Sequence, residues 1–199
     1  MEDNHQALIE LVPLNWRNIL TTWRLAKNIF GKRALEMSVY YTASLTPHWL
    51  WPKANREAIA GVKGYIAMKD HIPVGITGLY TFTNGPKEAW LDWYGVDEKF
   101  RGRGVGKAIL QATIDMARKN GYETLRLWTT ENRPESAIAN KLFQKLGFTS
   151  QKTDHTYSGY PVLIYSFALN GGQPSLYQGN VRRCLAVDDY FNKVGPRPV

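Results

Sequence analysis

Arg101-Gly102-Arg103-Gly104-Val105-Gly106-Lys107 is the stretch on which the architecture of this chain turns. It follows an aromatic and β-branched run, 89–96, that reads as a strand. It precedes a segment in which Val105, Ala108, Ile109, Ala112 and Met116 fall on one helical face, closed by Arg118, Lys119 and Gly121. Glycines let backbone N–H groups approach a ligand closely, and a helix start adds free donors and a partial positive charge, so the segment is an anion cradle. Two phosphate-binding spacings fail on it. A P-loop requires glycine five places before Gly106 and Ser or Thr after Lys107, where this chain has Arg101 and Ala108. A dinucleotide fingerprint, Gly-x-Gly-x-x-Gly, counted from Gly102 or Gly104, arrives at Lys107 or Ile109.

A second segment, Lys141-Leu142-Phe143-Gln144-Lys145-Leu146-Gly147-Phe148, ends another amphipathic stretch. The Arg/Gln-x-x-Gly-x-Gly/Ala pattern of the first, with Leu142-Phe143 and Gly147-Phe148 in the second, resembles the GNAT superfamily of N-acetyltransferases over roughly residues 62 to 167. The resemblance implies a mixed α/β fold: a twisted mixed sheet flanked by helices, with the strand ending at Val96 and the strand at Leu125 splayed apart. It implies acetyl-CoA as co-substrate in that gap. The pantetheine of coenzyme A would run along the backbone of Tyr94, Gly95 and Val96, and the pyrophosphate would sit on the amides of Arg101, Gly102, Arg103, Gly104, Val105, Gly106 and Lys107. It places Ser136 where relatives have a CoA-contacting Asn, with Asn132 one turn earlier as the alternative. Asn132 also reads as a helix N-cap, with Pro134 in the first turn and Glu135 completing a capping box. Phe143 stands where the family often has a tyrosine that protonates the leaving thiolate. It has no ionisable group, so that proton must come from elsewhere, with Tyr157, Tyr160 and Tyr165 as the options.

The family's chemistry is direct attack of a neutral amine on a thioester held beside it, which needs positioning and a base. Relatives commonly supply the base from the strand that is 88–96 here. Strict alternation puts Glu88, Trp90, Asp92 and Tyr94 on one face, with Asp92 the first candidate and Glu88 the second. An acidic residue on a half-exposed strand is more often solvated or paired, and that reading stands beside the catalytic one. No histidine falls on this strand: His5 is near the terminus, His48 in an aromatic segment, His71 in a turn and His155 in a polar loop. The aromatic segment, with Tyr40, Tyr41, His48, Trp49 and Trp51, stands where relatives build the acceptor site. Such rings enclose amines or simply pack as core.

Outward from these anchors, the runs 62–68 and 72–82 read as an antiparallel hairpin and 8–14 as a first strand. A helix from Trp16 to about Phe30 stops at Gly31, and 38–52 has no clean period, so loop or short helix is the expectation. Strands follow at 125–128 and 162–169. Residues 1–170 make one acetyltransferase domain. After Gly171 and Gly172 a tail of unassigned role, 171–199, packs on the same domain. With 199 residues, 44% hydrophobic and 21% charged, the chain is long enough to bury a core. Its formal charge of +8 favours anionic partners without a block of like charge. Cys184 is the single cysteine, which excludes an internal disulfide, and no Cys/His cluster suggests a metal. A polar, acidic start and no long apolar run point to a cytoplasmic protein without a membrane span. The expected acceptor is a small-molecule amine. Alternatives are a non-catalytic acyl-CoA-binding module, or an acyltransferase acting on a protein or a nucleic acid such as charged tRNA; a homodimer is compatible with each.

Overall fold

Short β-rich runs alternate with amphipathic helices, and the computed structural model, which describes residues 9–51, 53–182 and 184–185, arranges them as one mixed sheet between helical layers. In order the elements are β1 (Glu10–Pro13), α1 (Ile19–Phe30), α2 (Ala34–Leu45), α3 (Lys53–Ala58), β2 (Ile59–Lys69), β3 (Ile72–Phe82), β4 (Glu88–Val96), α4 (Val105–Lys119), β5 (Thr124–Thr130), α5 (Pro134–Lys145), β6 (Thr149–Tyr157) and β7 (Tyr160–Ala168). The sheet order is β1-β2-β3-β4-β5-β7-β6, and only β4 and β5 run parallel. The helix α4 is the crossover that a parallel pair requires.

The β2–β3 hairpin turns on Asp70 and His71, both with positive φ, the geometry whose twist matches the flanking strands. The first strand is shorter than the sequence suggests, and Leu8 lies outside the described residues. The first helix begins at Ile19 rather than Trp16, which is exposed with Leu20, while Gly31 ends it with φ 59° as expected. Residues 34–45 form a full helix, α2. Ala34, Met37, Tyr40, Tyr41 and Ala43 are all buried, so apolar residues spread around it and leave no stripe to read.

The strand β6 is absent from the sequence reading, and His155 lies on it rather than in a loop. Thr149–Tyr157 is an edge strand of polar residues, a composition that protects an open edge and also hides it from hydrophobic patterning.

Alternation along β4 and β5 divides the core. Trp90 joins Met37, Tyr40, Tyr41, Ile66 and Tyr80 on the α1/α2 face, whereas Ala89, Leu91, Leu125 and Leu127 join Leu110, Ile114 and Phe143 on the α4/α5 face. The described part of the tail closes the first layer. Tyr177 sits edge-on to Trp90 with centroids 5.0 Å apart, and Cys184 is fully buried.

Burial pushes the Cys184 thiol from 9.0 up to about 12. The hydroxyls of Tyr41, Tyr94 and Tyr177 are also raised, chiefly by burial. Each folded-state value lies above its unfolded one, so the stabilisation is complete at lower pH and lost as pH rises through the window from 9.0 to about 12. Thermal melts should show Tm level to about pH 8 and falling beyond about pH 9, with a shallower early fall in Cys184→Ala. A Tm that stays level or climbs across that window would contradict this.

Candidate active site

Parallel pairing between β4 and β5 covers only Glu88↔Thr124, Ala89↔Leu125 and Trp90↔Arg126. Past that point β4 continues to Val96 and β5 to Thr130 without pairing to each other, as expected for splayed strands. The departure has a visible cause on β4. Its register against β3 steps from Gly78↔Asp92 to Ile76↔Gly95, which leaves one extra residue on β4, and Trp93 within that step has φ 44°. A bulge of this kind bends its strand and resets the alternation.

Glu88, Trp90 and Asp92 keep the shared face that alternation assigns them, but Tyr94 is moved to the opposite one. Its ring packs 6.3 Å from Phe143, and its hydroxyl lies 2.8 Å from where a Cβ on Gly106 would stand. The expectation that Tyr94 shares a face with Asp92 is therefore corrected by the bulge. Gly95 turns toward α1 instead, where a Cβ would meet Ile29 and come within 2.8 Å of Phe30. Only glycine fits there.

Between the diverging strands lies a cavity of about 240 Å³. Asp92, Trp93 and Tyr94 contribute from β4, and Trp128 and Thr130 from β5. Ser136 and Phe143 reach it from α5. The Ser136 and Thr130 hydroxyls are 3.1 Å apart, and Phe143 is buried against Tyr94, Phe148 and Tyr165. Past the end of β4 the glycine turn carries the chain into α4. Arg101 Nε donates to the Val96 carbonyl (3.0 Å), which ties the turn to the strand. Gly104 is the N-cap at φ 76°, a left-handed conformation that favours glycine, and it provides no side-chain cap. Residues 101–104 are exposed, so the first-turn donors of α4 begin at a solvent-facing, uncapped end.

Other sequence candidates fall elsewhere. Glu88 stands at the paired end of β4, outside the cavity lining, with its carboxylate 2.7 Å from Arg126 Nη2. Arg126 is 1% exposed and also donates to Ser166 Oγ (2.6 Å), the Ser175 carbonyl (2.9 Å) and Ser175 Oγ (3.0 Å), with its guanidinium 5.5 Å from the Tyr177 ring. Asn132 is not the N-cap of α5. Arg133 is, without a side-chain capping bond, while Asn132 sits one residue earlier at φ 60° and outside the lining. Among the three tyrosines considered as acids, Tyr157 lines the cavity. Tyr165 is buried and accepts from Gln144 Nε2 (3.3 Å), and Tyr160 lies off the lining.

The aromatic segment does not line the cavity either. Tyr40, Tyr41 and Trp51 are core, and His48 bonds the Ile59 carbonyl through Nε2 (2.8 Å). The aromatic walls come instead from residues the sequence reading did not select. Phe30 meets Trp93 edge-on at 5.3 Å, and Trp128 meets Tyr157 at 5.1 Å. Arg33, just past the Gly31 break, lies 5.5 Å over Trp93. The only sequence signal for Phe30 and Arg33 is their flanking of a glycine helix stop, which does not say where the chain then leads. Asp92 is the carboxylate of the cavity. Its charge adds to burial, the larger cause, in holding the Tyr41 hydroxyl well above its ordinary range. Among the described residues no group of three or more His, Cys, Asp and Glu is placed to hold a metal.

The model of the acetyltransferase (GNAT) family matches residues 33–148. No curated protein sequence gives a significant match. A GNAT-family protein from Desulfovibrio desulfuricans superposes with a TM-score of 0.65 at 16% identity, covering 81% of this chain and 99% of that one. The ribosomal-protein-S18-alanine N-acetyltransferase of Escherichia coli does so at 0.57 and 16%, covering 85% and 99%. A GNAT acetyltransferase from Elizabethkingia anophelis, solved with acetyl-CoA bound, gives 0.55 and 18%, covering 80% and 97%. At such identities the likeness is one of fold.

Phe143 closes the α5 side of the gap, and the cost of removing it can be read from its burial. Phe143→Ala should lose about 3–5 kcal/mol in denaturant unfolding, while Phe143→Tyr should stay within about 1.5 kcal/mol. An alanine variant of near wild-type stability would show that the ring is not packed in this way.

Proposed function

The chain belongs to the GNAT family of acetyltransferases, and on that footing we propose that it transfers an acetyl group from acetyl-CoA to a primary amine within a ternary complex. One observation carries the reading: β4 and β5 part after Trp90↔Arg126, and the gap lies beside the glycine turn at the uncapped start of α4. The edge of β4 that faces β5 is unpaired from Asp92 to Val96, and pantetheine amides complement such an edge. The pyrophosphate suits the amides of 101–107, where the helix dipole and the surrounding Arg101, Arg103 and Lys107 favour negative charge. Ser136 supplies a hydroxyl along the α5 side.

In the reaction the ammonium first gives one proton to Asp92, directly or through water. The nitrogen lone pair then forms the C–N bond at the thioester carbonyl. As the C–S bond breaks, sulfur keeps the electron pair and takes up a proton. Two protons leave nitrogen in all, one ending on the CoA thiol and one in solvent. Of the tyrosine candidates, Tyr157 is the one at the cavity, and we assign it the donor role in place of the hydroxyl Phe143 lacks. Among the described residues no helix is long and apolar enough to cross a membrane, consistent with the cytoplasmic setting we propose.

Two variants test the site in separate ways. Gly104→Glu sets a carboxylate beside the pyrophosphate and should weaken CoA binding at least about 10-fold by calorimetry, with Gly104→Ala reporting the backbone strain alone. Unchanged affinity in a folded Gly104→Glu protein would remove the site from this turn. Asp92→Asn should lower turnover by about 10²–10⁴ while sparing CoA affinity, with the deficit shrinking at high pH, where the amine is already neutral. Wild-type turnover across that range would end the role given to Asp92.

A further inference from the structure

Three ordinarily charged side chains line the cavity, Asp92, Arg33 and Arg133, a net charge of +1. The acceptor must arrive as an ammonium ion, which is also positive. A plain alkylamine would therefore add charge of the same sign, and a polyamine would add more. Asp92 can hold the nitrogen, but the guanidinium of Arg33 calls for an acid. Its position is fixed from below: it lies 5.5 Å over Trp93, whose ring meets Phe30 edge-on and whose backbone is set by the left-handed bulge. A guanidinium offers five N–H donors, more than a single neighbour uses, in a fork that matches a carboxylate. The apolar walls between the two poles are Trp93 on β4 and Trp128 on β5, the latter braced by Tyr157.

Resting on the acyl-CoA reading above, we propose that the acceptor is a small amine that also bears a carboxylate, held with its nitrogen at Asp92, its carboxylate at Arg33 and an apolar body against Trp93 and Trp128. The transfer itself balances as already described, and the carboxylate takes no part in bond making. A peptide N-terminus fits this pattern less well, because it presents a neutral amide where the free amino acid presents a charged group. The formal charge of +8 over the whole chain works in the same direction, drawing acid-bearing molecules toward the protein.

The experiment is thiol release from acetyl-CoA by the full-length protein with a matched panel: phenylalanine, phenylalanine amide, phenethylamine, spermidine, and a peptide with a free N-terminus. CoA affinity is measured alongside by calorimetry. The carboxylate-bearing amine should have the highest kcat/KM, about 10-fold or more above its amide and its decarboxylated form. Arg33→Ala should raise its KM about 10-fold with little change in kcat or CoA affinity, Arg33→Lys should recover part of the loss, and Arg33→Glu should turn the preference toward phenethylamine. Preference for phenethylamine, spermidine or the peptide, or no response to Arg33→Ala, would overturn the acceptor assignment. So would intact CoA binding with no transfer to any acid-bearing amine, which leaves the cofactor site standing, whereas loss of CoA binding in the wild-type protein would overturn the acyl-CoA reading beneath it.

Discussion

Backbone pairing between β4 and β5 ends after Trp90 and Arg126, and every functional feature of the molecule lies beyond that point. Two strands that paired to their ends would leave no cavity, no free edge on β4 and no route from the sheet to the start of α4. The sheet forgoes several ladder hydrogen bonds here, and unpaired strand edges are sites that accept another chain or ligand. The sheet is held closed on one side of the split and held open on the other.

Arg126 and its neighbours do the first. Its guanidinium is buried at the last paired position and is neutralised by Glu88, and it ties β5 to Ser166 of β7 and to Ser175 of the tail. A buried cation without such partners would cost several kcal/mol, so the arrangement survives only with all of them present. The bulge at Trp93 does the second. One extra residue against β3 bends β4 away from β5, sends Tyr94 beneath the gap and leaves Trp93 on the side where Phe30 and Arg33 pack. The same defect thus opens the gap and shapes the wall opposite β5.

Much of this was legible in the sequence, for local physical reasons. Gly104, Gly106 and the helical spacing from Val105 to Met116 specify a strand–turn–helix unit without reference to the rest of the chain, and Asp70 and His71 lie between two runs of evident β character. Reading failed where the deciding contact was distant or the composition neutral. The helix α2 is buried on too many sides to show a stripe, and β6 carries its alternation in polar residues. The bulge could not be seen, because nothing local separates Trp93 in a left-handed conformation from Trp93 in a plain strand. That one residue misplaced Tyr94. Asn132 looked like a cap because its side chain suits the role, yet Arg133 holds the position. Glu88 and Asp92 were indistinguishable as strand carboxylates until the structure set one beside Arg126 and the other in the cavity.

Backbone hydrogen exchange with and without acetyl-CoA tests most directly whether the split between β4 and β5 is the cofactor site. Amides at 93–96 on the free edge and at 104–107 at the start of α4 are expected to slow on binding, while the β6 edge at 149–157 stays unchanged. Saturating acetyl-CoA that leaves 93–96 and 104–107 at their free rates, or protects a different surface, would contradict the account.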